Sequence, residues 1–124
     1  MNCSFVSRTR FVLTSSIAAV LSATVAPAPA ADWLLNGGGD WATAANWAGG
    51  IPNGNGAVAN FAADISADAT IVLGADRTVG TLSFSDPTPS NLWILNGNNL
   101  NFDRPDQLAT IFVGAGVTAR INSH

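Results

Sequence analysis

Short apolar-polar-apolar pieces recur along this chain at steps of about twenty residues, and that recurrence constrains the fold more than any other feature. Leu82 and Phe84 flank Ser83, Leu100 and Phe102 flank Asn101, and Ala119 and Ile121 flank Arg120. A second series interleaves with the first: Ile71 and Leu73, Leu92 and Ile94, Ile111 and Val113. The steps are 18 and 19 residues in the first series and 21 and 19 in the second. Each piece is too short for a helix and has the two-residue period of a strand with one buried face. Turn signals stand between them, including IPNGNG at 51–56, SDPTPSN at 85–91, NGNN at 96–99 and DRPD at 103–106. Two strand types per turn, met three times, predict an all-β fold: a short parallel β-helix, or β-solenoid. In it each strand pairs with its equivalent one coil later, and the inward residues stack. A small antiparallel β-sandwich is the competing fold, since strands 7 to 11 residues apart also fit that class. Val79 is out of phase with Leu82, and Trp93 lies opposite Leu92 and Ile94, so neither fits the series.

The first thirty residues stand apart. Arg8 and Arg10 precede a run from Phe11 to Ala26 without a charge, and APAPA follows with small residues at alternate positions. That is the layout of a secretory signal peptide over 1–30, cleaved after Ala30, with Ala28 and Ala31 as neighbouring alternatives. The alternative is a membrane anchor formed by an uncleaved 11–31 segment. Beyond the leader, 31–64 reads as a Trp/Gly-rich cap segment and 65–124 as about three coils ending without a cap.

Residues 31–124 hold eight aspartates against Arg77, Arg104 and Arg120, with no lysine, glutamate or cysteine. A chain this acidic has no electrostatic footprint for nucleic acid or anionic lipid. Catalysis is not expected. The only histidine is His124, the last residue, and Ser83, Ser85 and Ser90 have no histidine partner for a hydrolase triad. Acid/base work on a glycoside would need two aspartates at a fixed spacing. Asp64, Asp68 and Asp76, with Arg77 as a base, are the candidates, set against the plainer role of ending strands and solvating turns. GGGD at 37–40 occurs once, without the spacing of calcium-binding repeats, so neither metal nor cofactor is expected. The remaining candidates are Trp33, Trp41 and Trp47, within fifteen residues of one another. An indole can stack on a sugar ring, which would make this a carbohydrate-binding module. The same side chains can instead cover the end of a solenoid, and capping is the preferred reading.

The order GGGDWATAANWAGGIPNGNGAVANF, IVLGADRTVGTLSFS, WILNGNNLNFD, TIFVGAGVTARIN resembles the amino-terminal region of autotransporter-associated β-strand repeat proteins, over nearly all of 32–122. The resemblance implies a bacterial exported protein, similar to passenger domains that fold as right-handed parallel β-helices. It implies a secreted or cell-surface location and a structural or adhesin-like role, with extracellular polysaccharide or cell-surface components as partners and no shared catalytic residues. Such chains normally run on for many more coils. This one stops at INSH in the middle of what reads as a coil, as a truncated piece would. Its open C-terminal edge is expected to self-associate.

Overall fold

A computed structural model describes residues 30–124, so the expected leader up to residue 29, Ala28 included, lies outside the described residues. Eleven short strands follow in order: β1 (Ala30–Trp33), β2 (Gly39–Asp40), β3 (Trp47–Ala48), β4 (Val58–Phe61), β5 (Ala69–Val72), β6 (Arg77–Val79), β7 (Thr81–Phe84), β8 (Leu92–Gly97), β9 (Leu100–Phe102), β10 (Thr110–Val113) and β11 (Thr118–Ser123). A single 3-10 turn, Ala44–Asn46, precedes β3. Gly, Asn, Asp and Pro at the corners keep each strand to a few residues, because they supply the turn conformations that end a strand.

The strands form three faces. Face A carries β1, β4, β7 and β10 as successive neighbours, with β3 on the outer side of β1. Face B carries β2, β5, β8 and β11, and face C carries β6 and β9. Every pairing is parallel except that of β3 with β1. The chain therefore visits the faces in turn and advances one rung per circuit. It is a β-solenoid of about four turns, not a sandwich, since a sandwich of hairpins would pair antiparallel.

The register differs from the one expected. Thr81 lies opposite Val58, and Leu100 opposite Arg77, each 23 residues on. Other circuits are longer: Thr110 lies opposite Thr81, and Ala119 opposite Trp93. Leu82, Leu100 and Ala119, which looked like one series, stand on faces A, C and B. On β8 the inward residues are Trp93 and Leu95, both fully buried, while Leu92 and Ile94 point outward and are half-buried. Val79 and Leu82 are out of phase because Gly80 separates strands of different faces. A Cβ on Gly80 would sit 2.5 Å from the Gly56 Cα, so this corner closes only on glycine.

Parallel pairing also begins earlier than the expected boundary at 64, since β1 and β2 already pair with β4 and β5. Residues 30–61 thus hold the first rungs, and the loop from Trp41 to Pro52 folds over them. Inward side chains stack from coil to coil. On face A, Ala31, Ala59 and Leu82 form one column and Phe61 and Phe84 another. Phe61 and Phe84 lie ring on ring, 5.2 Å apart and inclined by 13°. Burying a side chain of this size contributes about 1.5–3 kcal/mol, and the stack is the main source of stability.

Candidate functional site

The structure brings Trp33, Trp41 and Trp47 together at the N-terminal end. Trp33 and Trp47 meet edge to face at 5.0 Å, Trp41 and Trp47 at 4.9 Å, and all three pack on Phe61. Each indole N–H donates to a backbone carbonyl: Trp33 to Gly37 at 3.0 Å, Trp41 to Pro52 at 3.0 Å, Trp47 to Trp41 at 2.9 Å. Their exposures are 3%, 0% and 4%. A sugar needs an indole face in water, and none of these offers one. The lid is held from outside by the pairing of Asp32 with Ala48 and Trp33 with Trp47. Gly49, at φ 94°, completes it, because a Cβ there would lie 2.7 Å from the Ala30 carbonyl oxygen. At the predicted cleavage site, Ala30 begins β1 opposite Val58, and Ala31 is buried in the core.

The aspartates considered for catalysis are spread along the corners rather than gathered. Asp64 accepts a hydrogen bond from the Thr88 hydroxyl. Asp68 Oδ1 accepts the Leu92 N–H at 2.9 Å, and Asp76 Oδ1 accepts the Asn99 N–H at 3.0 Å. Each acceptor sits one coil before its donor, so these side chains brace one corner to the next. Asn53 does the same for the Thr78 N–H, and Asn91 reaches back from the later coil to donate to the Ile65 carbonyl. Arg77 is buried on face C, where its Nε donates to the Leu73 carbonyl at 3.0 Å, four residues back in its own coil. The arrangement ties backbone to backbone and brings no acid and base together.

In GGGD, Asp40 Oδ1 accepts the Ala42 N–H at 2.7 Å, and its carbonyl accepts the Asn46 amide, which turns the chain into the lid. Among the described residues no three His, Cys, Asp or Glu side chains gather as a metal site would require. Ser83 lies on face A between buried Leu82 and Phe84, and His124 is exposed at the chain end.

Sequence reasoning passed over Asp86, at the corner between β7 and β8. Asp86 continues the inward phase of Leu82 and Phe84; its Oδ1 accepts the Thr88 N–H at 3.0 Å. Asp86 Oδ2 and Trp93 Nε1 are buried with no hydrogen-bond partner among the described residues. The signal for Asp86 was the alternation carried two residues past the strand, masked by the DPTP turn.

The other feature is the C-terminal end. Ile111 and Val113 on β10 are 49% and 44% exposed, although their partners Leu82 and Phe84 are fully buried. Phe112, Leu108 and Phe102 are exposed beside them. β10 and β11 are the last strands of their faces, each with an unpaired edge. Comparison of the chain with family profiles, with curated proteins and with solved structures finds no match.

Proposed function

We propose that this protein is an exported, non-enzymatic β-solenoid with a structural or adhesive role at the cell surface or in the surrounding medium. In this reading it is the amino-terminal part of a passenger-like stack of the autotransporter-associated repeat type. The observation that carries it is the stack itself: parallel rungs on three faces around one apolar core, with a tryptophan lid over the first coil. The corner aspartates support a structural role, since each spends a carboxylate oxygen on bracing the next coil. Export is supported by the uncharged 11–26 run and the APAPA that follows it. Polysaccharide or surface partners would meet the outward Thr, Asn and Asp side chains of the faces, because Trp33, Trp41 and Trp47 have no free ring face.

Expression of the full chain in a bacterial host, with fractionation and N-terminal sequencing, tests the reading. The expected product is extracytoplasmic and begins after Ala28 or Ala30. Cleavage after Ala31 would remove a residue that is buried in the core. A product that keeps Met1 and stays with the membrane rejects the proposal.

A further inference from the structure

Asparagine followed by glycine is prone to rearrange by itself, because a residue without a Cβ leaves its amide nitrogen open to the preceding side-chain carbonyl carbon. Four such steps occur among the described residues: Asn36–Gly37, Asn53–Gly54, Asn55–Gly56 and Asn96–Gly97. The fold treats them unequally. The Gly54 N–H donates to the Thr78 carbonyl at 2.8 Å, and Asn53 Oδ1 accepts the Thr78 N–H at 2.9 Å. The Gly56 N–H donates to the Asp103 carbonyl at 2.8 Å. Asn96 and Gly97 lie in β8, where Asn96 pairs with Val72 of β5 and Gly97 with Ser123 of β11. Asn36 is instead exposed in the bend between β1 and β2. Neither its side chain nor the Gly37 N–H has a hydrogen-bond partner among the described residues. A Cβ added to Gly37 would meet nothing within 4 Å, so the backbone there has room to move.

We propose that Asn36–Gly37 is a self-modifying site, at which the chain's own backbone converts the asparagine to an acidic residue. The Gly37 amide gives its proton to water or hydroxide, and its nitrogen bonds to the Asn36 Cγ. The Cγ–Nδ2 bond breaks, ammonia leaves, and a cyclic succinimide remains. Water then opens the ring at either carbonyl, leaving aspartate or isoaspartate at position 36. In sum, one water is consumed and one ammonia released, with no oxidant, metal or second protein required. At the other three steps the same attack must first break pairing that joins one coil to the next.

The position gives the reaction a consequence. The Gly37 carbonyl accepts the Trp33 indole N–H at 3.0 Å, one of the bonds that hold the lid. Isoaspartate carries the main chain through the side-chain carbon. It therefore adds one atom to the backbone between Trp33 and Gly37 and moves that carbonyl off its donor. A new carboxylate also enters a loop flanked by Asp32 and Asp40, in a chain that is already acidic. The lid is loosened at Trp33, while Trp41 and Trp47 keep their own acceptors, the carbonyls of Pro52 and Trp41.

Ageing of the purified protein at mildly alkaline pH, with peptide mapping by mass at intervals, tests the proposal. In the folded protein Asn36 should convert about tenfold faster than Asn53, Asn55 or Asn96, whereas in denaturant all four should convert at comparable rates. Gly37→Ala should slow the step about tenfold or more with circular dichroism unchanged, since the space at Gly37 admits a methyl group. As isoaspartate accumulates, the Trp33 indole N–H should exchange faster with solvent and that of Trp41 should not. Asn36→Asp, which adds the charge without lengthening the backbone, should leave both slow. Equal rates at the four steps in the folded protein overturn the proposal, as does earlier conversion at any of the other three. An aged protein whose Trp33 indole exchanges no faster than that of Asn36→Asp overturns the link to the lid.

Discussion

The first and last coils hold equivalent positions of one repeating structure and meet opposite fates. Ala31 on β1 and Ile111 on β10 stand at the two ends of one column of face A, with Ala59 and Leu82 between them. Ala31 is 1% exposed, whereas Ile111 is 49% exposed. Isoleucine is no less apolar for standing at the end; what it lacks is a rung above it. Burial in a solenoid is set by neighbours on both sides, and an end must be given a substitute for the missing coil. At the start, β3 and the Trp41–Pro52 loop are that substitute. At the finish, the described residues supply none.

The contrast can be broken most sharply at the lid. Trp41→Ala should lower unfolding free energy by about 3–5 kcal/mol in denaturant titrations, from lost burial and a cavity against Phe61 and Trp47. Trp47→Ala should behave alike. A loss below about 1 kcal/mol would mean that the lid is not part of the cooperative core. Next in size, Gly80→Ala should destabilise by about 2 kcal/mol, because its Cβ must push the first coil's backbone away at Gly56.

Bracing at the corners gives smaller effects. Asp76→Ala leaves the Asn99 N–H to water and should lower stability by about 1 kcal/mol. Asp68→Ala should match it through Leu92. At the open end, Ile111→Ala should change monomer stability by less than about 1 kcal/mol, although Leu82→Ala, one coil earlier in the same column, should remove about 2–5 kcal/mol. Equal losses at Leu82 and Ile111, read by thermal unfolding at low concentration, would erase the difference between an inner and an outer rung.

The fold class was legible because short alternating pieces between turn residues leave few other options. The register was not, for a physical reason. Leu82, Leu100 and Ala119 share a local pattern yet occupy three faces, and no local pattern says which face a strand is on. Corners of unequal length then disguised the circuits. The polar corners tracked the coil better than the apolar residues did: Asp68 with Leu92, Asp76 with Asn99 and Asn53 with Thr78 mark circuits of 24, 23 and 25 residues. Trp93 was set opposite the inward pair because Leu92, Trp93, Ile94 and Leu95 are all apolar, and such a run does not say which alternate pair is buried. Trp33, Trp41 and Trp47 are buried, and the carbonyls that hold them, those of Gly37, Pro52 and Trp41 itself, could not be read from side chains.

Segment-resolved native hydrogen exchange, on the protein dilute enough to be monomeric, tests most directly whether one end of the stack is closed and the other open. Amides of β4 and β7, with the indole N–H groups of Trp41 and Trp47, should exchange slowest, at rates set by global unfolding. Those of β10 and β11 should be the fastest of any strand. If β10 and β11 are protected as well as β4 and β7, or if the lid exchanges first, the two ends have been assigned the wrong way round.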